Sequence, residues 1–271
     1  LANLHEVTGR NVICYYSGWL QKPGIIEAMI DDNDKNGLMT TINKMDRSKG
    51  LDIVLHTPGG ETAAVESIVD YLRSCFGTDM RAIVPLMAMS GGTMIACACK
   101  SIVMGNQSSL GPVDPQFRGV PAHGILEEFK DAHDAIKHDP STIPVWQPII
   151  AKYTPTLVGE CQKSVDWAKE LVRGWLETGM FKDDPDPSIK VEQIVEGLTD
   201  HAWTKSHSRH LSIKTCSEEL GLTVEELEKD DKLQDAVLSL HHAYMHTLAR
   251  TSTIKIIENH LGAAFVIAIA Q

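Results

Sequence analysis

The chain has 271 residues, 43% of them hydrophobic and 23% charged, and its 25 Lys and Arg against 36 Asp and Glu leave a net charge of −11. This length admits one or two domains with a full core, and the composition excludes a disordered chain. So acidic a balance repels phosphate backbones and argues against nucleic acid as a partner, and no apolar run approaches the roughly 18 residues of a membrane-spanning helix.

Six cysteines, Cys14, Cys75, Cys97, Cys99, Cys161 and Cys216, show no Cys-x-x-Cys and no framework spacing. They read as buried, reduced thiols. The chain opens Leu-Ala-Asn-Leu-His, without a charged start or an apolar signal core. A cytoplasmic protein is therefore expected, with membrane association only through a segment preceding Leu1.

Residues 11–16 are apolar, aromatic or β-branched and predict a strand, broken at Lys22-Pro23-Gly24. Residues 25–30 and 38–45 read as helical. The apolar run 51–55 predicts a buried strand ending in His56-Thr57-Pro58-Gly59-Gly60, and Val65, Ile68, Val69 and Leu72 give 61–75 a helical period. A strand over 81–87 follows, then a small-residue helix from Ser90 to about Lys100, a strand over 101–104 and a rigid turn region over 109–115. These strands lack polar alternation, the mark of a parallel sheet covered on both faces. From Gly124 the pattern is mostly helical, over 125–136, 146–153, 156–179, 191–198, 212–220 and 224–253, and 261–270 reads as a buried strand or a helix end. The expected organisation is an α/β core over 1–122, with a mostly helical arm over 123–271 completing the same domain.

Two segments carry chemistry. In each, a strand turns through glycines into a helix: Pro58-Gly59-Gly60 after the strand at 51–55, and Met89-Ser90-Gly91-Gly92 after the strand at 81–87. Glycine permits a tight turn and close backbone approach, and the first amides of a helix lack carbonyl partners. Two such turns side by side aim two N–H groups at one oxygen, as an oxyanion hole does. Ala88-x-Ser90-x-Gly92 has the form of a nucleophile elbow. Taken alone, Ser90 reads first as a helix N-cap, and the two glycine turns bring the nucleophile reading level with it.

The strings His56-Thr57-Pro58-Gly59-Gly60, Met89-Ser90-Gly91-Gly92-Thr93-Met94-Ile95-Ala96 and Leu110-Gly111-Pro112-Val113-Asp114-Pro115-Gln116 resemble the serine dehydrogenase proteinase group. Thr8-Gly9-Arg10-Asn11-Val12-Ile13 and Ser206-His207-Ser208-Arg209-His210 are similar to it as well, so the resemblance spans most of the chain. That group stands with the signal peptide peptidase A-type and Clp-type serine peptidases. The resemblance implies a crotonase-like or Clp-protease-like parallel sheet spiral with helical C-terminal arms, a homo-oligomer, and a peptide or protein substrate. It implies Ser90 as nucleophile, with the amides of Gly60 and Gly91 as the oxyanion donors. No cofactor is expected, because the Gly-x-Gly-x-x-Gly dinucleotide fingerprint is absent.

A serine needs a base. Clp-type enzymes carry a histidine where this chain has Gly111 to Pro115, and none stands there. A Ser-Lys dyad is the recognised variant, and Lys130 is the first choice by its separation from the Gly-Pro-Val-Asp-Pro turn. Lys152, Lys163 and Lys169 remain open. His207 and His210 are the rival bases, since a histidine acts near neutral pH with little tuning, and His123 is a weaker candidate. Two other functions stay open: an inactive scaffold that binds partners, and a crotonase-type acyl-thioester enzyme with Glu61 as base.

No metal is expected. Asp32-x-Asp34-x-Asn36-Gly37 opens like a calcium loop, but Asn43 stands where the bidentate glutamate belongs, so a turn between helices is expected instead. His242 and His246 share a helical spacing without the glutamate of a zinc protease and read as a structural cluster. Trp146, Trp167 and Trp175 are expected to pack arms or a subunit contact.

Overall fold

Asn11–Ser17 (β1) and Leu51–His56 (β2) are buried along their whole length, as their unbroken apolar patterns require. The computed structural model describes residues 1–117, 119–200 and 206–269. Short strands follow at Met80–Val84 (β3), Met87–Ala88 (β4), Ser101–Met104 (β5), Ser109–Leu110 (β6), Gln116–Phe117 (β7) and Val120–Pro121 (β8). Leu211–Ser212 (β9), Val224–Glu226 (β10), Thr253–Asn259 (β11) and Ala264–Ala268 (β12) complete the set. One seven-stranded sheet runs in the order β10-β5-β3-β2-β1-β11-β12. Its first five strands are parallel, and β11 and β12 add antiparallel to the β1 edge. A small sheet, β4-β6-β9, stands beside it, bridged to the end of β2 at Thr57 and Ala88.

The helices are Ala2–Thr8 (α1), Asp34–Ile42 (α2), Thr62–Phe76 (α3), Gly91–Cys97 (α4), Ala122–His138 (α5), Ile143–Ile150 (α6), Leu157–Trp175 (α7), Ser188–Thr199 (α8) and Asp231–Arg250 (α9). Alternate residues of β1 face opposite sides. Ile13 and Tyr15 join the core formed with α2, α3, α4, α7 and α8. Val12, Cys14 and Tyr16 join a second core under α1 and α9, against Val237, Tyr244 and Leu248. A third, small cluster of Ala122, Ile125, Cys161 and Val165 joins α5 to α7. Among the described residues no helix is long and apolar enough to cross a membrane.

The mixed α/β architecture with a largely parallel sheet matches the reading of the sequence, and several local expectations are adjusted. Residues 25–30 hold one 3₁₀ turn, Ile26–Ala28, and then extend so that Ile30 bridges Gly60. The calcium-like string opens in a turn at Asp32 and Asn33, but Asn36 and Gly37 lie inside α2 rather than in a turn between helices, and a Cβ on Gly37 would meet Ile257 Cδ1 at 2.7 Å. The helical stretch expected over 212–220 is present over 213–219, its last five residues wound as a π turn, Thr215–Glu219, while Ser212 belongs to β9. Residues 224–226 form β10 rather than helix, because pairing with β5 outweighs local propensity, and β11 follows α9 where no strand was expected. The run at 261–270 is an edge strand with alternating exposure, not a buried one, and its residue 270 lies outside the described residues.

At the amino end of β2, Asp52 is fully buried between Arg10 (2.7 Å) and Arg81 (2.8 Å). Arg81 faces Asp52 across the β2–β3 register. A lone buried guanidinium is costly, so removing the shared carboxylate leaves two of them underpaired. Asp52→Ala is expected to lower unfolding stability by about 3 kcal/mol, read from urea melts at neutral pH, whereas a surface change such as Glu66→Ala stays within about 0.5 kcal/mol.

Candidate active site

The carboxyl ends of β2 and β4 are tied together before either chain turns. Thr57 N–H donates to Met87 O at 3.1 Å, and Met89 N–H donates to Thr57 O at 3.0 Å. Thr57 Oγ1 then accepts from Gly59 N–H at 3.1 Å, which tightens the first turn. Gly59 has φ +95°, and a Cβ there would sit 2.7 Å from Met89 O and 2.8 Å from both Gly91 N and Ser90 Cβ. Only glycine lets these two turns meet.

Ser90 has φ 49° and ψ −111°, a rare conformation for a side-chain-bearing residue. Its hydroxyl makes no capping bond to α4, so the N-cap reading is set aside. Thr93 pins the elbow from behind. Its Oγ1 lies 2.9 Å from Ala88 O and 2.8 Å from Gly111 O and accepts from Gly111 N–H at 3.0 Å.

The first turn is held on its other side by Ile30, whose N–H donates to Gly59 O (2.8 Å) and whose carbonyl accepts from Glu61 N–H (3.0 Å). In an extended segment successive amides point opposite ways, so the N–H of Gly60 faces away from Ile30. A Cβ placed on Gly91 would lie 3.3 Å from Gly60 N, which makes the two amides neighbours. Among the described residues neither donates to a protein acceptor.

Ser90 and Gly60 open on one cleft of about 690 Å³, with Asp31 and Glu61 on one wall and Met94, Phe117 and Trp167 among its apolar lining. Asp114 is buried, and it and His207 reach the same cleft. Asp114 lies in the Leu110-Gly111-Pro112-Val113-Asp114-Pro115-Gln116 string, whose residue types alone give it no chemical role. Its burial at the cleft that Ser90 also lines is a tertiary fact with no local signal. Trp175 is buried as expected of a packing residue, whereas Trp167 is 36% exposed at the cleft wall.

A family model described as ClpP-like SDH-type serine proteinase matches residues 20–259. The chain belongs to that family. An uncharacterised protein of Methanocaldococcus jannaschii is 28% identical over 222 residues, covering 82% of this chain and 68% of the relative. A second uncharacterised protein of that organism is 29% identical over 199 residues, covering 73% of this chain and 60% of the relative.

In this member of the family the candidate bases are scattered. His207 is half-buried and lines the cleft with Ser90. Lys130 is exposed on α5, and His210 is exposed on its loop; neither lines the cleft. Lys152, Lys163, Lys169 and His123 do not line it either. Glu61 does, from an exposed position. No cluster of three or more His, Cys, Asp or Glu suited to a metal occurs among the described residues.

His56 precedes the first turn but faces the other core. It is fully buried against Trp19 (ring centroids 4.3 Å apart) and His241 (5.3 Å). Burial, then the neighbouring His241, pushes its pKa down to about 3. Burial, then His242, pushes His241 down to about 4. Above about pH 6.5 these rings are neutral in the folded and the unfolded chain alike; below it only the unfolded chain takes up protons. Stability is therefore expected to fall from pH 6.5 toward pH 4, by up to about 1.4 kcal/mol per pH unit for each histidine. Urea unfolding at pH 7, 6 and 5 reads this slope, and His56→Leu is expected to make it shallower by one proton's share.

Proposed function

We propose that the chain is a serine peptidase that cleaves peptide bonds through an acyl-enzyme on Ser90. The observation that carries this reading is the strained Ser90 elbow, whose uncapped hydroxyl opens on the same cleft as the Gly60 amide. A backbone conformation this costly persists where the surroundings enforce it, and such sites cluster at reacting groups.

In this reading Ser90 Oγ attacks the carbonyl carbon of a bound peptide, and its proton passes to the His207 imidazole. The carbonyl oxygen becomes an anion held by the N–H groups of Gly60 and Gly91. Collapse breaks the C–N bond, and the leaving amine takes the proton from the imidazolium. Water then attacks the ester carbonyl and gives a proton to His207; collapse breaks the C–Oγ bond, the imidazolium returns that proton to Ser90 Oγ, and the acid is released. Asp114 supplies the buried negative charge that favours the imidazolium. His207 replaces Lys130 as the preferred base because it shares the cleft with Ser90 and needs no burial to act near neutrality. An acyl-thioester reaction with Glu61 as base would leave the strain at Ser90 without a use.

The crotonase-like spiral belongs to this reading and is supported by the small β4-β6-β9 sheet set beside the main one. Homo-oligomerisation is supported by exposed apolar side chains on α6 and β12, where Val145 is 62% and Val266 52% exposed.

Reaction with a fluorophosphonate is expected to add its mass to Ser90 in the unmodified chain, with no addition in Ser90→Ala. His207→Asn is expected to slow that labelling by 10²-fold or more, and Lys130→Met to leave it within about twofold. Labelling of another residue, or equal rates in Ser90→Ala, overturns the assignment.

A further inference from the structure

The Gly60 amide owes its place to Ile30, and Ile30 is held from the far side by a buried ion pair. Lys255, on β11, is fully buried. Its ammonium donates to Met29 O at 2.7 Å and to Asp34 Oδ1 and Oδ2 at 2.7 and 2.9 Å. The Asp34 carboxylate, also buried, accepts from the Asp31 N–H at 3.1 Å and from the Tyr15 hydroxyl at 2.6 Å. The carbonyl of Met29 and the N–H of Asp31 are the two backbone groups that flank Ile30 and point away from Gly60. Lys255 takes one and Asp34 the other. The ion pair thus stands where a further strand would stand, and residues 29–31 are clamped between it and the Gly59–Glu61 turn.

The pair contributes little to stability for its cost. Removing two charges from water offsets most of their attraction, and apolar replacements of similar volume are often neutral or stabilising. What apolar side chains cannot do is bind a carbonyl and an N–H at fixed positions. Ser17 Oγ adds to the hold by donating to Ala28 O at 2.7 Å from the neighbouring register position.

We propose that the Lys255–Asp34 ion pair is a positioning device for the candidate oxyanion amide of Gly60, acting through the Met29–Asp31 segment. The proposal rests on the reading of Ser90 and Gly60 given above. Neither residue touches the reacting atoms; both set where the amide points, to the sub-ångström accuracy such donors need.

The test compares the full chain with the charge-free pair Lys255→Met/Asp34→Leu, following the fold by circular dichroism. Hydrogen exchange over residues 28–31 and 57–62 reads the clamp. Inactivation by a peptidyl phosphonate reads the amide, with its maximal rate and half-saturating concentration measured separately. Expected are a folded variant, at least tenfold faster exchange at the Ile30 and Glu61 amides, and a maximal inactivation rate at least tenfold lower at unchanged half-saturation. A folded variant with wild-type exchange and rate overturns the proposal, as does a loss confined to half-saturation. Should the double variant unfold, Asp34→Asn carries the same test at nearly constant volume, with about a threefold effect expected and none overturning it. If the phosphonate fails to modify the unmodified chain, the nucleophile assignment falls; exchange alone then decides whether the ion pair holds the Gly60 turn, a localised rise supporting it and no rise overturning it.

Discussion

The arrangement depends on how closely three backbone segments approach one another without side chains between them. Gly59 abuts Met89, Ser90 and Gly91, Gly60 is pressed against the backbone of Ile30, and Gly91 stands beside Gly60. A methyl group on Gly60 would lie 2.2 Å from Ile30 O, well inside contact distance. The Gly60 and Gly91 backbones are thereby brought side by side, and the Ser90 elbow is wedged into a conformation it would not adopt alone. Everything chemical about the cleft follows from that packing.

Charge is distributed along the sheet with the same economy. At the amino end of β2, Asp52 is shared by two arginines and locks β2 to β3. Toward the other end, Lys255 and Asp34 stand in for a missing strand. Burial raises the Asp34 carboxyl, and the ammonium of Lys255 opposes that shift. Behind the first turn, His56 and His241 are held neutral in an aromatic core, so the residue next to the glycine turn adds no charge to the cleft. Polar groups at the sheet's carboxyl edge therefore divide into those that shape the turn and those that face the cleft.

The histidine that shares the cleft with Ser90 comes from a distant part of the chain. Ser90 follows the fourth strand, whereas His207 precedes β9, which pairs with β6 beside the elbow. Pairing across this small sheet brings the segment after α8 next to the 109–115 turn. Lys130 lies on α5, whose own cluster is built with α7 and leaves the lysine in solvent.

Much of the fold was legible in the residues. The unbroken apolar runs at 11–16 and 51–55, the helical period of 61–75 and the two glycine turns each depend on near neighbours in the chain, so local pattern was enough to read parallel strands, crossovers and a candidate nucleophile. What stayed hidden involves contacts between segments far apart. The extended form of Met29–Ile30 exists because Gly59 and Glu61 on one side and Lys255 and Asp34 on the other take its hydrogen bonds. Val224–Glu226 is a strand because β5 offers an open edge. Whether Ser90 caps a helix or opens on a cleft, and whether His207 or Lys130 shares that cleft, was decided by tertiary packing alone, since residue type and spacing are the same in either case and only the path of the chain sets which side chains meet.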